Sequence, residues 1–458
     1  MRLNIFESTE STKTSRVLEA LQEENNFLKE KIAQLIRENE NLKDKLNIDS
    51  SNSGLPTSKE IYKKESKKRT KSNRKAGGQP GHAYKGYTRK KADEIHFVDV
   101  PQEVCNCGGC LNLDSYSIHQ KIEIPTIKPK IDEYRLARKK CGKCGKCGKL
   151  YKAKLDSYKI LGPNIESIIA TMGGFFNNSK RDLQNILSHV CNTDISLGLI
   201  SKTEERVSVK LEVPYNNLLE EAEESSYLHM DETGHRNQGK RGWCWFLGNS
   251  QLSFFKLSNS RGKKVIENLL PEYLGNVISD RYAVYNYFNS DNRQICLAHL
   301  RRDFKRFAHS SNKEISAVGI KLLDCIDLVF AAHKGYRRKK ITNIFYKRRL
   351  RKLEKKMYSF LKNIRHQSSS IAAKRVAKNI LKSFDMMWLF VDNDEIPPTN
   401  NFAERQIKHH VKYRKNSYHT WSDRGDRFLE RIKSIYSTAK LRNQNPFDLL
   451  QQLSLKPI

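Results

Sequence analysis

Asp231 closes the run Tyr227-Leu228-His229-Met230, and Asp280 closes Asn276-Val277-Ile278-Ser279. Carboxylates on neighbouring strands repel each other in a cleft unless a cation lies between them, which calls for hard, oxygen-seeking ions such as magnesium or manganese. Two such ions roughly 4 Å apart activate an attacking water or 3′-hydroxyl and stabilise the leaving oxygen of a phosphodiester. A third carboxylate is expected from a helix beside the sheet. Pro397-Pro398-Thr399-Asn400 ends a loop, and Glu404 falls in the first turn of the helix that begins at Asn401. The chain has 51 acidic residues, so an Asp, Asp, Glu triple is not by itself a signal. Glu232 competes with Asp231 as ligand; strand alternation turns one of the two away from the cleft, and Asp231 is the preferred one.

A second metal chemistry is written in the cysteines. Six of the ten lie between Cys105 and Cys147. Cys107-x-x-Cys110 and Cys141-x-x-Cys144 form two knuckles that supply the four soft ligands of one structural zinc ion. Cys105 could replace Cys107 or Cys110, and Cys147 makes a second C-x-x-C with Cys144. The sequence between the knuckles (Ile122, Ile124, Ile127, Ile131) is strand-like. Cys296 and His299 also form a C-x-x-H, but no second pair lies nearby, so a further zinc is not expected there.

Periodicity shows the framework that carries these carboxylates. Three short aromatic-rich strands (Tyr227–Asp231, Trp243–Leu247, Leu252–Leu257), a helix through Val265–Leu270 and a fourth strand to Asp280 give the order β-β-β-α-β. A ribonuclease H-like domain sets two carboxylates side by side in this way. Gln294-Ile295-Cys296-Leu297 is a further strand-like segment leading to His299 and a long helical region. Residues 161–226 read as helices, with Asn192-Thr193-Asp194 and Ser201 placed to cap the helical segments after them. Residues 334–365 have helical period and a net charge of +13, a helical subdomain with a cationic face inserted before Glu404.

At the start of the chain Leu21, Leu28, Leu35 and Leu42 recur every seventh residue, with Leu18, Asn25, Ile32, Asn39 and Leu46 completing an a/d stripe. This predicts a parallel coiled coil through residues 18–46, joining two or more copies, with Asn25 and Asn39 fixing register. A basic arm of net charge +11 comes next at residues 59–91, containing Arg74, Lys75 and the stretch Gly77-Gly78-Gln79-Pro80-Gly81-His82. Such an arm suits a phosphate backbone or a minor groove. The whole chain carries +33 over 458 residues, and the excess sits in the arm, residues 134–154, 334–365 and 401–440. Nucleic acid is therefore the expected partner, although a basic surface alone also suits anionic lipid or ribosomal RNA; bound to double-stranded DNA, such a chain loses affinity steeply with salt. Behind Glu404, Arg405, Lys408, Lys412, Arg414 and Lys415 continue the basic theme, and Tyr413, Tyr418 and Trp421 could stack on unpaired bases. The most apolar run, Ala317–Ala332, is interrupted by Lys321, Asp324 and Asp327, and the N-terminus has no apolar signal core. The expectation is a cytoplasmic, nucleoid-associated protein without a membrane span.

Asp231-Glu232-Thr233, Cys296-Leu297-Ala298-His299-Leu300-Arg301-Arg302, Asn400-Asn401-Phe402-Ala403-Glu404-Arg405 and Tyr413-Arg414-Lys415-Asn416-Ser417 followed by Trp421 together resemble the insertion sequence 66 family of bacterial transposases. The Gly-Gly-Gln-Pro-Gly-His arm, the two-knuckle cysteine region and Asn443-x-Asn445-Pro446 match that family in the same order along the chain. One departure is that the family's first knuckle is C-x-x-C-Gly-Gly, whereas Cys107-Gly108-Gly109 here is preceded by Cys105, one residue short. The resemblance implies a DDE transposase: Asp231, Asp280 and Glu404 as the magnesium-binding catalytic triad, Arg74, Lys75, Arg405, Lys408, Arg414, Lys415 and Trp421 on DNA, terminal inverted repeats and target DNA as substrates, and accessory proteins of the same element as further partners.

The expected fold is multidomain α+β. It comprises a coiled coil at 1–49, the arm at 50–92, a zinc-binding domain at 93–155, a helical linker or DNA-binding region at 156–226, and a ribonuclease H-like α/β core in two parts, 227–300 and 397–458, split by a helical insertion at 301–396. Two other functions fit the same motifs: a structure-specific nuclease, which would hydrolyse without strand transfer, and a zinc-dependent DNA-binding regulator or inactive derivative, which would bind without cutting.

Overall fold

The heptad stripe lies on one continuous helix, α1 (Asn4–Leu46), in the computed structural model, which describes residues 4–48, 88–101, 103–140, 150–154 and 159–455. The arm's Arg74 and Lys75 and the second knuckle's Cys141, Cys144 and Cys147 lie outside the described residues. Leu18, Leu21, Leu28, Ile32, Leu35, Leu42 and Leu46 are all exposed along α1. Its last turn touches the rest of the protein, where Asp44 accepts hydrogen bonds from the Ser310 hydroxyl at 2.8 Å and the Ser311 amide at 2.7 Å. Two three-residue strands, β1 (Arg138–Lys140) and β2 (Leu150–Lys152), pair antiparallel. Contrary to the strand-like reading, no strand forms between Leu111 and Ala137, and Ile122, Ile124, Ile127 and Ile131 are exposed. Alternation makes a strand only where a neighbour completes the ladder, and among the described residues this segment has none.

Residues 163–223 are helical, as their periodicity predicts: α2 (Pro163–Ile169), α3 (Lys180–His189), α4 (Leu197–Lys210) and α5 (Glu212–Glu223). A turn of π-helix, Ala170–Phe175, continues α2. The caps differ from those expected. Ser179 and Asp182 form a capping box on α3, and Ser196 caps α4 by accepting from the Leu199 amide, while Ser201 lies inside α4 and Asn192 takes a positive φ of 49° just after α3.

The next strands are β3 (Tyr227–Asn237), β4 (Lys240–Asn249) and β5 (Leu252–Ser258), followed by α6 (Lys263–Leu269), β6 (Asn276–Ser279) and β7 (Arg293–Ile295). They form one mixed sheet in the order β5-β4-β3-β6-β7, antiparallel through β3, β4 and β5 and parallel through β3, β6 and β7. Alternation sorts its side chains cleanly. Leu228, Met230, Trp245, Leu247, Phe254 and Val277 join one core, and Cys244, Phe246, Phe255 and Leu257 join another on the opposite face.

The helical stretch after the sheet comprises α7 (Leu297–Ala308), α8 (Lys313–Arg337), α9 (Asn343–Gln367), α10 (Ile371–Leu381) and α11 (Leu389–Asp392). Its apolar faces form a core that also takes in Ile278 and Ile295, so it is anchored on the sheet. A Cβ on Gly319 of α8 would lie 2.2 Å from the Ala308 amide nitrogen, which is why α7 and α8 can meet backbone to backbone. Ala317–Ala332 lies within α8, and no helix among the described residues is long and apolar enough to cross a membrane. The cationic α9 is balanced in part, because Lys347 pairs with Asp394 and Arg351 with Glu354 and Asp392.

Three further helices close the chain: α12 (Asn401–Ser417), α13 (Asp423–Leu441) and α14 (Pro446–Leu455). Helix α13 seals the sheet edge. The amides of Ser253, Phe255 and Leu257, which point away from β4, donate to Thr438 Oγ1, Ser434 Oγ and Glu430 Oε2 at 3.0, 2.9 and 2.9 Å. Alternate residues of β5 thus meet residues four apart on α13, and the exposed ladder that an edge strand would leave is satisfied.

Candidate active site

Asp231 sits directly opposite Phe246 in the β3–β4 ladder, and Glu232 opposite Trp245. The two acids therefore leave the strand on opposite faces. Glu232 enters the core on one side, where its side chain is 2 % exposed and accepts from Arg261 Nε at 3.0 Å and from the Tyr285 hydroxyl. Arg261 is itself held over the rings of Trp243 and Tyr282, at 4.6 and 3.9 Å from their centroids. Both oxygens of Glu232 are thus engaged. Asp231 faces the other way, toward α12, and accepts from the Glu232 amide at 2.9 Å. Burial, reinforced by the charges of Glu232 and Asp280 and more weakly by Glu404, drives its carboxyl well above the usual carboxylate range.

Asp280 follows β6 at once. The parallel register sets His229 beside Ile278, so two further steps bring Asp280 level with Asp231, and by alternation on the same face. Its side chain accepts from the Tyr282 amide at 2.8 Å, which turns the chain sharply after the strand. From below, the fully buried Arg293 donates to the Asp280 carbonyl at 2.8 Å, to Ser279 Oγ at 3.2 Å and to Asn286 Oδ1 at 2.6 Å. Burial lowers the Arg293 guanidinium, and Asp280 opposes that.

Glu404 lies in the first turn of α12, as the sequence predicts. Ala403 and Ile407 seat the helix on Phe246, Phe255 and Leu257, the face that Asp231 shares. Asn400, fully buried, fixes where the helix begins. Its Nδ2 donates to the Met230 carbonyl at 2.8 Å, its Oδ1 accepts from His229 Nδ1 at 2.8 Å, and its amide donates to Cys296 Sγ at 3.1 Å. Burial lowers His229 to about 4, which keeps the ring neutral in this pairing. The Glu404 carboxylate, 42 % exposed, is held toward α7 by Arg302 at 3.4 Å and His299 at 3.6 Å. Burial and Arg302 together depress His299, whose Nδ1 is buried with no partner among the described residues.

Three acids therefore approach one another at the C-terminal end of the parallel strands and the first turn of α12. Among the described residues, however, no three His, Cys, Asp or Glu side chains stand close enough to hold a metal as they are. Chemically the donor set suits a hard divalent cation: three carboxylates, one of them half-buried, desolvated and repelled by its neighbours.

The remaining predicted residues divide by exposure. Arg405, Lys408 and Lys415 are exposed on α12, and Trp421 projects from the loop behind it. Arg414 instead turns inward and donates to the Gly234 carbonyl at 2.9 Å, where a Cβ on residue 234 would come within 2.9 Å of the guanidinium. Tyr413 packs beside the core that seats α12. Cys296 is buried, and its Sγ accepts from the Asn400 amide. In the first knuckle, Gly108 at φ 89° makes a tight turn, with its amide donating to the Cys105 carbonyl and the Cys105 amide to the Gly109 carbonyl, both at 2.8 Å. The Gly109 backbone and the Cys105 thiol lower the Cys107 thiol below its ordinary range.

A family model described as "Transposase IS66 family" matches residues 181–427, more than half of the chain. The chain belongs to the IS66 transposase family. No curated protein matches the sequence. The IS66 region spans the whole sheet, the helices between its two parts and α12, so it contains Asp231, Asp280 and Glu404. The coiled-coil stripe, the arm, the cysteine knuckles and α14 lie outside it. Within it, sequence reasoning assigned no role to Asn400, His229, Arg293 or Arg302. Asn400 and Arg302 stand inside the family's motifs, but nothing local in the sequence says that an asparagine before a helix will be buried and bonded to a strand.

Proposed function

We propose that this IS66-family protein is a DDE transposase built on a ribonuclease H-like core, cutting DNA at the ends of its element and joining the freed ends to target DNA. The observation that carries this reading is the meeting of Asp231 on β3, Asp280 at the end of the parallel neighbour β6 and Glu404 in the first turn of α12 on one sheet face, with Asp231 under the charge of the other two. The order β5-β4-β3-β6-β7 supports the ribonuclease H-like assignment.

Asp231, Asp280 and Glu404 would hold two magnesium or manganese ions, which when bound would neutralise the carboxylates and polarise the phosphodiester. Asn400 and Arg293 keep two of these acids on rigid elements, and Arg302 and His299 keep Glu404 at the mouth of the site. Arg405, Lys408 and Lys415 offer exposed cations to the DNA backbone along the same helix. The proposed chemistry is hydrolysis at the element's end, then attack of the freed 3′-hydroxyl on target DNA, without a covalent protein intermediate. Cys107 and Cys110, with Cys141 and Cys144, would hold one structural zinc ion; the tight Gly108 turn and the depressed Cys107 thiol fit the first half of such a site. The coiled-coil stripe would pair protomers through residues 18–46, because α1 leaves its apolar stripe exposed.

The test is cleavage of a duplex carrying the element's end in magnesium. Asp231→Asn, Asp280→Asn and Glu404→Gln should each abolish cutting while DNA binding persists. A triad variant that still cuts overturns the assignment, and hydrolysis without strand transfer by the unaltered protein indicates a nuclease instead.

A further inference from the structure

Tyr418 and Trp421 are large aromatic side chains left 74 % and 76 % exposed, on a loop that is otherwise pinned. A single exposed ring is ordinary, but two on one pinned loop offer flat apolar faces at fixed places on the surface. The rigidity comes from Thr420 between them. Its amide donates to the Arg236 carbonyl at 3.0 Å and its carbonyl accepts from the Gln238 amide at 2.7 Å, which adds the loop to the tip of the β3–β4 hairpin as a bridge beside Asn237. The Thr420 hydroxyl is buried against Asp426, and His235 Nε2 lies 3.1 Å from the hydroxyl and 3.0 Å from that carboxylate. Gln238 Nε2 also holds the Trp421 carbonyl at 3.2 Å, and the His419 ring packs 4.4 Å from the Trp421 ring. Tyr418 is fixed at φ 59° and ψ −54°, a backbone state that side chains larger than glycine rarely adopt, so the fold tolerates strain to present this ring outward.

We propose that Tyr418 and Trp421 form a stacking clamp for an unpaired nucleotide of bound DNA. Exposed Arg236 and Lys240 on the β3–β4 hairpin to which the loop is bonded, and Lys415 in the last turn of α12, supply cations on the same elements. Nearby acids turn to other work: Asp426 binds His235 and Thr420, and Asn237 Nδ2 reaches both Asp423 and Asp426 at 3.0 and 2.8 Å. Aromatic faces flanked by cations bind a base by its π-face and the adjoining phosphate by charge, whatever the base. The clamp stands on the strand that carries Asp231, with Asn237 six residues further along, so it lies on the order of 20 Å from that carboxylate. The nucleotide it takes is therefore not the one at the scissile phosphate, and holding it out of the duplex would keep the end frayed and in register.

The inference rests on the DNA-cutting reading for its ligand but not for its chemistry, so the test is binding by the full chain without added magnesium or manganese. The probes are a duplex with 2-aminopurine in a short unpaired bulge and the same duplex fully paired. The unaltered protein should quench the bulged probe and prefer it on the order of tenfold, and Trp421→Ala or Tyr418→Ala should remove that preference while paired-duplex affinity stays the same. Trp421→Phe should retain most of it. Equal binding of both probes by the unaltered protein, or an undiminished preference in Trp421→Ala, overturns the clamp even if cleavage is found. A preserved preference in a protein that never cuts in magnesium overturns the cutting reading and leaves the clamp standing.

Discussion

Asn400 Nδ2 donates to the Met230 carbonyl at 2.8 Å, which fastens the start of the Glu404 helix to the residue beside Asp231. The same side chain accepts from His229, and its backbone amide is taken by Cys296. One buried amide thus ties together the strand of Asp231, the helix of Glu404 and the N-terminus of α7, from which His299 and Arg302 reach Glu404. A hydrophobic residue of the same size would leave the Met230 carbonyl and His229 Nδ1 buried without partners.

Asn400→Ala should therefore damage both stability and chemistry. Two buried groups lose their partners, at a cost of about 2–4 kcal/mol together. Displacing Glu404 relative to Asp231 should slow cleavage roughly a hundredfold. Denaturant melts and single-turnover cleavage at saturating DNA would measure the two effects. A variant as active as the parent would show that the Glu404 helix is positioned by apolar packing alone.

The placement of two acids is legible in the sequence, Asp280 just after a strand and Glu404 after a Pro-Pro loop, whereas the strand read as ending at Asp231 runs on to Asn237 because β4 pairs with it that far. Sequence alternation could also say that Asp231 and Glu232 point apart, but only the fold shows that Arg261 and Tyr285 engage Glu232. Asn400 was invisible in its role because its partners, Met230 and Cys296, lie more than a hundred residues away. Glu430, Ser434 and Thr438 look like a polar helix face, yet they are buried as acceptors for the β5 edge. Arg414 counted as one more cation until Gly234 was seen to accept from it. In each case local pattern sets the element, and a distant partner sets what the polar side chain does.

Asp231 and its neighbour should respond to neutralisation with opposite signs. Asp231→Asn removes a half-buried charge repelled by Glu232, Asp280 and Glu404, so without added divalent ions the variant should melt at a higher temperature than the parent, and in magnesium it should fail to cut. Glu232→Gln leaves one oxygen to accept but loses the charge and puts a donor where Arg261 or Tyr285 also donates, which should cost about 1.5–3 kcal/mol. Thermal melts of both variants without added divalent ions decide the point. Destabilisation by Asp231→Asn would mean that its carboxylate is satisfied within the fold and is not kept free for a ligand.

A pair of buried bases makes stability depend on pH. His410 on α12 is fully buried, and neither ring nitrogen has a hydrogen-bond partner among the described residues. Burial and the Lys433 charge hold it well below its ordinary value. Lys433 donates to Asn177 Oδ1 at 2.9 Å, and burial lowers its ammonium to about 7. Both groups bind protons more readily when unfolded, so stability rises with pH across their windows. His410 should cost stability as pH falls below about 6.5, and Lys433 should add stability as pH rises from about 7 toward roughly 10. Melts across this range should show both limbs, and His410→Leu should flatten the acid limb by about 1.4 kcal/mol per pH unit. An unchanged acid limb in His410→Leu would assign the slope to other groups.

Divalent cations should reverse the repulsion at Asp231. A ligand that binds only the folded protein stabilises it by about 2.7 kcal/mol at a hundred times its dissociation constant. Saturating magnesium or manganese should therefore raise the melting temperature of the unaltered protein by roughly 3–4 °C. Glu404 must leave Arg302 and His299 to take part, and their contacts of 3.4 and 3.6 Å on a half-exposed carboxylate are weak enough to be displaced. In Asp231→Asn with Asp280→Asn the cation has lost both strand carboxylates, and the shift should vanish, whereas Glu232→Gln should keep it because that acid faces the opposite side of β3. An equal shift in the double variant would place the ions elsewhere and remove the physical basis for the triad.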